Sequence, residues 1–418
     1  MSGHATLSPS ASARWLRCTA SAGAYDGAES SEYADEGTAA HTLAARALGS
    51  GAPAAYWLGD KIDVCDDDGS VRRTFEVTDE MAMYVQVYVD AIRDRLHGTA
   101  QLLVEQKVDS GLESAAFGKI TGTGDAIVLS PTFGLIELHD LKYGANPKNR
   151  VDALTPVVDT ADCVGPVILD EQTGQLWELN TQLALYGLGV LHDFGMLGAF
   201  ERVHLAIHQP RLDHMSAVEI SVADLLTWGE TVAGKLAAID AGLTEYKPSE
   251  KACQWCPVKA RCKALADFTY QTVAVDFANV ADLTEYGVAS AYERVELVEM
   301  WLKAVREAAA ALADKGELPG WTWEIGRAGT RKWKDAKAVE EILRKTYRLK
   351  KDEVYEQKLI SPTQAEKLLA KAHPQRWEDL QEYIVRGEPS KKLVRVTEAQ
   401  APLPAAPVID DFSGLLGV

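Results

Sequence analysis

Two carboxylates and a lysine are the residues of this sequence whose types and spacing best suit chemistry. The stretch 134–144 (GLIELHDLKYG) alternates like a β-strand, so Ile136, Leu138, Asp140 and Lys142 are expected to share one face. Asp140 and Lys142 therefore follow two apolar residues on a buried face, where charged side chains are costly unless they are paired or used. A simple salt bridge at the end of the strand is the structural alternative.

A second aspartate, Asp125, stands early in the preceding strand candidate, 119–130 (KITGTGDAIVLS), after a glycine-rich turn. If the two strands form a hairpin, Asp125 and Asp140 converge at one end of the sheet. Carboxylates bind Mg²⁺ or Mn²⁺, and such a cation lowers the pKa of bound water and neutralises charge on a phosphate. A nearby lysine can orient or deprotonate the attacking water, or stabilise developing charge. The set therefore suits hydrolysis of a phosphodiester.

Three of the six cysteines form a C-x2-C-x5-C motif, Cys253, Cys256 and Cys262. A C-x-x-C turn can aim two thiolates at one metal, and a third thiolate can join from the following turn. The fourth ligand is expected to be Cys18, in the segment ARWLRCTAS near the N-terminus. Spacing alone leaves zinc and an iron–sulfur cluster open, and a few buried cysteines near a turn are the plain alternative.

The aspartates and the lysine, in this order, resemble the D…(D/E)-x-K signature of the PD-(D/E)XK nuclease superfamily. Its RecB-like branch adds a histidine on a helix before the sheet, matched by His41, and Q-x-x-x-Y on a later helix, matched by Gln182 and Tyr186. Four residues apart on a helix, Gln182 and Tyr186 share a face. The resemblance implies that His41, Asp125 and Asp140 bind Mg²⁺ or Mn²⁺. It also implies that Gln182 and Tyr186 position the DNA backbone or the catalytic lysine.

A subset of RecB-like nucleases also carries a four-iron four-sulfur cluster, held by one early cysteine and three late ones. Cys18, Cys253, Cys256 and Cys262 match that pattern. The resemblance therefore implies such a cluster, with zinc as the alternative, which staples the N-terminal segment to the end of the nuclease domain. Residues 8–268 also resemble a phage-associated exonuclease family of this kind, and the similarity is weaker over the C-terminal third.

The elements that must position these residues predict an α/β fold. Helices are predicted at about 36–48, 79–96, 177–194 and 222–241, and strands at 101–109, 119–130, 134–144, 202–212 and 217–222. This order is typical of a mixed central sheet flanked by helices, and the resemblance implies the restriction-endonuclease-like PD-(D/E)XK core. The segment 145–176 shows no strong periodicity and is interpreted as an insert: a lid, a DNA-guiding loop or a subunit contact.

Three regions follow from this pattern. Residues 1–270 are predicted to form the nuclease domain with its metal staple, 275–397 a mainly helical accessory domain that contacts DNA or a subunit, and 398–418 a Pro-rich tail that is disordered until a partner binds. Within the second region, 321–333 reads as a hairpin or a strand. The basic stretch 327–351 is a candidate DNA surface, with a solvated helix face as the alternative. Its proposed DNA contacts are Arg331, Lys332, Trp333 and Lys334.

Composition sets the limits on function. Asp and Glu total 61 against 43 Lys and Arg, which gives a net charge of −18. This excludes a histone-like protein coated in positive charge but allows a local basic groove. No apolar run approaches the ~18 residues of a membrane span, and the first residues lack the pattern of a secretory signal, so a soluble, cytoplasmic protein is expected. The absence of a Walker A motif disfavours an ATPase.

The function that these features predict is a metal-dependent DNA nuclease, and an exonuclease that processes DNA ends for phage recombination or replication fits best. The resemblance implies a phage- or prophage-encoded protein in the bacterial cytoplasm. It implies DNA as substrate and, as candidate partners, a phage single-strand annealing or binding protein and a second copy of the chain. Two alternatives stay open. One is a non-catalytic DNA-binding protein with a structural metal site, and the other is an assembly protein that retains a nuclease fold.

Overall fold

The computed structural model describes residues 7–24, 30–66, 68–157, 160–277, 285–325, 331–355, 359–371, 373–386 and 391–395. The strands are β1 Lys61–Cys65, β2 Val71–Glu76, β3 Gln101–Ser114, β4 Gly118–Ser130, β5 Leu135–Leu141, β6 Leu154–Pro156, β7 Val167–Leu169, β8 Leu176–Leu179, β9 Arg202–Gln209, β10 His214–Ser221, β11 Trp321–Ile325, β12 Arg331–Trp333, β13 Ile384–Arg386 and β14 Lys391–Arg395. The helices are α1 Ser12–Trp15, α2 Glu32–Ser50, α3 Asp79–Arg93, α4 Thr181–Phe194, α5 Val222–Asp240, α6 Glu250–Cys253, α7 Lys263–Phe277, α8 Glu285–Asp314, α9 Ala336–Glu341, α10 Lys351–Val354, α11 Pro362–Leu369 and α12 Pro374–Asp379. The predicted Pro-rich tail, 398–418, lies outside the described residues.

A mixed five-stranded sheet in the order β10-β9-β5-β4-β3 forms the centre of the first compact unit, Met1–Leu302. β3, β4 and β5 are antiparallel neighbours, β5 pairs parallel with β9, and β9 and β10 are antiparallel. Residues of α2 and α3 pack on one face of the sheet, and residues of α4 and α5 pack on the other. The predicted α/β fold, with a mixed central sheet flanked by helices, is confirmed.

The two central strands of the site, β4 and β5, are buried on both faces. Ala126 and Val128 pack towards α2 and α3, whereas Ile127 and Leu129 pack towards α4 and α5. A strand covered on both sides reads as a continuous apolar run rather than an alternating one. This is why the sequence AIVL at the end of β4 carries no polar residue.

The helices that flank the sheet begin at side-chain caps. α3 begins after Thr78, whose side-chain oxygen accepts a hydrogen bond from the Met81 N–H at 3.1 Å. α4 begins after Asn180, whose Oδ1 accepts from the N–H groups of Gln182 and Leu183 at 3.0 and 3.3 Å. The predicted start of this helix at residue 177 is therefore wrong, because 176–179 form β8 and Asn180 separates that strand from the helix.

The insert at 145–176 contains short strands that the sequence does not reveal. β6 and β7 lie in the insert and both pair antiparallel with β8, which begins at the last residue of the insert, in a three-stranded sheet of order β6-β8-β7. β6 and β7 have three residues each, and three residues are too few to show a period of two. The insert is thus a folded subdomain in its described part, and its function stays a prediction.

The second compact unit, Lys303–Val418, combines short helices with two small sheets. β11 pairs with β14 and β12 pairs with β13, so the predicted hairpin within 321–333 is wrong. The alternative of a strand holds only in that the segment contains two separate strands. Its apolar core includes Val339, Leu343, Tyr347, Val354 and Leu369. The two units divide within α8, whereas the sequence predicts a boundary near 270–275. The functions predicted for residues 1–270 and 275–397 stay predictions.

The long helix α8 spans 30 residues. It is long enough to cross a bilayer, but acidic and basic residues recur along its sequence. In the part of the chain that the structure describes, no helix combines the length and the apolar character of a membrane span.

Candidate active site

Asp125 and Asp140 lie across from each other where β4 and β5 separate. The backbone pairing of the two strands ends at Ala126 opposite His139. One residue further, Asp125 Oδ2 accepts a hydrogen bond from the backbone N–H of Leu141 at 2.7 Å. The Asp125 side chain therefore accepts the hydrogen bond that a backbone carbonyl of the neighbouring strand would otherwise accept. The predicted hairpin that brings the two aspartates together is confirmed.

The glycine-rich turn predicted before Asp125 is wrong, because Gly122 and Gly124 lie inside β4. At Gly122 a Cβ would lie 2.5 Å from Cε1 of Tyr186. The missing side chain lets the tyrosine ring pack directly against the strand. Glycine is thus needed here for a close approach between β4 and α4 rather than for a turn.

Lys142 and Gln182 hold the second aspartate in place. Lys142 Nζ lies 2.9 Å from Oδ2 and 3.2 Å from Oδ1 of Asp140. Gln182, in the first turn of α4, accepts from Lys142 Nζ at 3.4 Å and donates to Asp140 Oδ1 at 3.3 Å. Its Nε2 also lies 3.1 Å from the Tyr186 hydroxyl. The two members of the Q-x-x-x-Y motif therefore contact each other, and the glutamine contacts the strand-end pair.

His41 and Glu105 complete the cluster on its other side. His41 Nδ1, from the middle of α2, lies 3.3 Å from Asp125 Oδ1 and 3.9 Å from Glu105 Oε1. One ligand atom from each of the three residues lies within 4.8 Å of the others. An imidazole with two carboxylates is a ligand set that suits Mn²⁺, and the oxygen ligands also suit Mg²⁺.

Glu105 adopts a backbone conformation that is rare for any residue except glycine. Its φ is 48°, in the left-handed region. Val104 pairs with Ala126 and Gln106 pairs with Gly124, so Glu105 lies opposite Asp125. For a residue with a Cβ this conformation costs roughly 1–2 kcal/mol, and such strain is concentrated at functional sites.

From the sequence alone, Glu105 in the predicted strand 101–109 is equally well a carboxylate near the metal or a solvated strand position. The structure places its carboxylate in the cluster. The register of the β3–β4 pair could have identified it, because the residue opposite Asp125 is then Glu105.

The electrostatics of the cluster favour an added cation. Burial raises the pKa of Asp140, and the Asp125 charge adds to this effect although Lys142 opposes it. Burial and Asp125 also raise the pKa of Glu105 to about 7. Burial would lower the pKa of His41, but its hydrogen bond and charge interaction with Asp125 outweigh it, so this pKa is raised. The charged forms of Asp140 and Glu105 would therefore both be stabilised by positive charge nearby.

The donor atoms present fit a divalent cation. His41, Glu105 and Asp125 form the group of close ligand atoms, whereas Asp140, also predicted as a metal ligand, lies outside that group and pairs with Lys142. Asp140 Oδ2 is buried and makes no hydrogen bond of acceptable geometry, although Lys142 Nζ lies 2.9 Å away. A hard cation would satisfy these oxygens, and its charge would offset the repulsion between the carboxylates.

The four predicted cysteine ligands are near enough for their charges to interact, but among the described residues no three of their Sγ atoms lie within 4.8 Å of one another. Burial raises the pKa of the Cys253 thiol to about 11, and the charges of Cys256, Cys18 and Cys262 act in the same direction. The segment that carries Cys18 packs here because α1 contacts α6. Burial also raises the pKa of the Cys256 thiol. A bound metal would stabilise these two groups as thiolates, so their chemistry suits either a zinc ion or an iron–sulfur cluster.

A family model described as "Protein of unknown function (DUF2800)" matches residues 4–401. The chain belongs to the DUF2800 family. Among solved structures, this DUF2800 chain is similar to one titled "Crystal structure of SSO0001". The two are 17% identical, the match covers 43% of this chain and 68% of that chain, and the TM-score is 0.23.

A buried carboxylate that sequence reasoning missed joins three parts of the DUF2800 chain. Glu178, in β8, accepts hydrogen bonds from Arg17 at 2.6 and 2.7 Å and from Lys251 at 3.0 Å. It also accepts from the N–H groups of Val164 and Gly165 at 2.7 and 3.1 Å. Glu178 thus ties the N-terminal segment, the insert and the cysteine segment together. The sequence does not predict this role of Glu178, because its pattern places the residue in a helix.

The proposed DNA contacts at 331–334 lie in the second unit of the DUF2800 chain. Arg331, Lys332 and Trp333 form β12, and Lys332 and Lys334 are exposed. The Trp333 ring packs against the core of this unit, and its Nε1 donates to the Ile360 carbonyl at 2.9 Å. The tryptophan therefore has a structural role, and contact of this stretch with DNA stays a prediction.

Proposed function

We propose that this DUF2800 chain is a metal-dependent DNA nuclease of the RecB-like PD-(D/E)XK type that degrades DNA from its ends. The observation that carries the proposal is the cluster of Asp125, Asp140 and Lys142 with His41 and Glu105 at the end of two sheet strands. Phosphodiester hydrolysis needs hard ligands for a cation and a positive group beside the phosphate. This cluster supplies both.

In this proposal His41, Glu105, Asp125 and Asp140 hold Mg²⁺ or Mn²⁺. A bound cation would neutralise charge on the scissile phosphate and make a bound water more acidic. Asp125 is fixed by its hydrogen bond from the Leu141 N–H, so its second oxygen can face the cation without a change of rotamer. The strain at Glu105 is then the cost of aiming a further carboxylate at the same point.

Lys142 acts in this proposal as a cation rather than as a base. Burial would lower its pKa, but Asp140 and Asp125 outweigh burial and raise it, so the ammonium form prevails. An ammonium can donate hydrogen bonds to a phosphate oxygen and to the attacking water. Gln182 contacts both Lys142 and Asp140, and Tyr186 supports the glutamine. Gln182 and Tyr186, both on α4, therefore position the lysine to donate these hydrogen bonds.

The cysteines hold a structural metal group in this proposal. A four-iron four-sulfur cluster on Cys18, Cys253, Cys256 and Cys262 would join α1 to the segment that follows α5. Iron and zinc analysis of protein purified without oxygen decides between the cluster and zinc. Loss of metal that left thermal stability unchanged would contradict the structural role.

End-dependent cleavage and a role in phage recombination or replication rest on the resemblance to phage-associated exonucleases. The cellular setting proposed with it is the cytoplasm of a bacterial host, with DNA as substrate and a single-strand annealing or binding protein as partner. The net charge of −18 supports end-dependent cleavage, because an acidic body repels DNA everywhere except at a local basic groove. An end that threads into such a groove is then favoured over a duplex that lies across the surface.

The deciding experiment is cleavage of linear and circular DNA with Mg²⁺ or Mn²⁺ and with EDTA, for wild type and Lys142→Ala. We expect loss of linear DNA only, abolished by EDTA and by the substitution. Lys119→Ala is the matched control, because Lys119 lies on the same sheet and pairs with Asp109 at 2.8 Å, as Lys142 pairs with Asp140. Cleavage of circles would indicate an endonuclease. No cleavage by protein that retains its cysteine-bound metal would refute the nuclease proposal.

A further inference from the structure

An exposed tryptophan lies in the turn between two buried cysteines. Trp255 stands between Cys253 and Cys256, which are nearly inaccessible, yet 70% of the Trp255 surface is exposed. A single exposed apolar residue needs no explanation by itself. The surroundings of Trp255 are informative, because its buried neighbours fix the turn and so hold the exposed indole at one defined place.

Trp255 lines a groove of about 510 Å³ that begins at the candidate active site, and we call it the Trp255 groove. Lys142 and Gln182 line this groove, and both contact the Asp140 carboxylate. Lys142 and Val151 also line the adjacent cleft of about 570 Å³ that contains His41. The groove and the cleft therefore meet at Lys142. A polymer with one phosphate at Lys142 would continue along the groove towards Trp255.

The lining of the Trp255 groove has an excess of positive charge. Its four cationic and two acidic side chains are Arg17, Lys142, Arg150, Lys251, Asp152 and Glu178. Lys142 pairs with Asp140 and Arg150 pairs with Asp152, so these two positive charges are offset. Arg17 and Lys251 both pair with Glu178, so the excess is one positive charge. Lys251 is also half exposed, at 51% of its side chain. Within a chain of net charge −18, this local excess favours a polyanion.

We propose that the Trp255 groove binds single-stranded DNA, with a base stacked on Trp255 and the backbone beside Lys251. This deepens the proposed nuclease function and rests on it. Cations beside a backbone and an aromatic ring for a base are the two elements of single-strand binding. A base in a duplex is already stacked on both faces, so an exposed indole selects an unpaired strand or a frayed end. The groove would thus hold the strand whose phosphate lies at Lys142.

The experiment measures binding separately from cleavage. The full chain with its cysteine-bound metal is titrated, without added divalent cation, into a fluorescein-labelled oligothymidine of roughly 12 nucleotides, and anisotropy is recorded. A labelled duplex of mixed sequence and equal length is titrated in parallel. We expect Trp255→Ala to weaken oligothymidine binding about 5- to 160-fold, which is the range for loss of one base–aromatic stack. Duplex binding should change much less.

Control variants separate stacking from folding. Tyr246→Ala removes an aromatic ring that is 64% exposed and outside the Trp255 groove, and it should leave binding unchanged. Trp255→Phe keeps a ring face and should bind like wild type, whereas Trp255→Leu keeps apolar bulk alone and should bind like Trp255→Ala. Metal content and melting temperature are compared for every variant. Equal binding by the phenylalanine and leucine variants would overturn the proposal, even if the alanine variant loses its metal.

The remaining outcomes distinguish this proposal from the nuclease proposal. If Trp255→Ala binds oligothymidine as tightly as the wild type does, and the wild type cleaves DNA normally, the groove proposal is overturned and the nuclease proposal stands. Binding that depends on Trp255, in a chain that cleaves no DNA, supports the groove and refutes the nuclease. Equal losses for single strand and duplex overturn the selection of single strands.

Discussion

Replacement of Glu105 by glutamine should stabilise the protein in the absence of divalent cations. Burial and the Asp125 charge raise the pKa of Glu105 from its ordinary value of 4.5 to about 7. A pKa that is higher in the folded state means that folding favours the protonated acid. The stabilising contribution is fully present below about pH 4.5 and is lost as the pH rises through 7. Glutamine has the shape of the protonated acid and no charge to lose.

The size of this effect follows from the structure. At about 1.36 kcal/mol per pKa unit, a rise from 4.5 to about 7 corresponds to about 3.4 kcal/mol for a fully buried group. The Glu105 side chain is 41% exposed, and solvent screens the interaction, so we expect about 1–2 kcal/mol. The gain of Glu105→Gln over wild type should therefore be near zero at about pH 4.5 and reach this value above pH 7.

The assay is urea unfolding of both proteins in EDTA at about pH 5 and about pH 8, repeated at the higher pH with Mn²⁺. Mn²⁺ should stabilise the wild type more than the variant, because ligand binding to the folded state adds to stability and the variant has lost one carboxylate. Glu113→Gln is the matched control, since Glu113 is an exposed glutamate on the same strand. Equal stability of Glu105→Gln and wild type in EDTA at both pH values would refute the claim that burial and the Asp125 charge act on Glu105. Equal stabilisation by Mn²⁺ would refute its role as a ligand.

Three further predictions concern the scaffold. Glu178→Ala should lower the free energy of unfolding by about 3–5 kcal/mol in urea titrations, because it leaves its buried arginine partner without a counter-charge; a loss below 1 kcal/mol would contradict this. Gly122→Ala should reduce cleavage up to about 100-fold with little loss of helix content by circular dichroism, because its Cβ would displace the Tyr186 ring from the strand; unchanged cleavage would show that the ring position is irrelevant. Burial lowers the pKa of His208 to about 4, with the charges of two neighbours adding to it, so wild-type stability should fall as the pH drops from 6.5 to 4. His208→Asn should reduce this fall, and an unchanged pH profile would refute the assignment.

The part of the site that the sequence could predict is the part with regular periodicity. The alternation of 134–144 places Asp140 and Lys142 on one face, and the short connection to 119–130 implies the hairpin that brings Asp125 close. The spacing of Gln182 and Tyr186 likewise implies a shared helix face, and their side chains do contact each other. Periods of 2.0 and 3.6 residues encode direction relative to the backbone, so such relations can be read without tertiary structure.

The remaining features depend on single residues or on distant pairing. Glu105 joins the cluster through one left-handed φ, which has no periodic signature. Glu178 lies in a four-residue strand whose partners have three residues each, so its buried role is set by tertiary contacts. The strands at 321–325 and 331–333 resemble a local hairpin but pair with 391–395 and 384–386. Long-range pairing decides such cases, and local pattern does not.

The site and the cysteine segment are joined by the same residues that stabilise the first unit. Glu178 links Arg17, which follows α1, to Lys251, which precedes Cys253. The turn with Trp255 is therefore held on one side by the cysteines and on the other by this ion pair. A metal bound at the cysteines would then fix the distance from Trp255 to Lys142 although it lies outside the carboxylate cluster. On this argument, loss of the cysteine-bound metal should weaken single-strand binding in the groove and leave Mn²⁺ binding at the carboxylates intact. Titration of Mn²⁺ and of oligothymidine into the same Cys262→Ser protein tests this, and parallel loss of both would show that the metal group supports the whole unit rather than the groove.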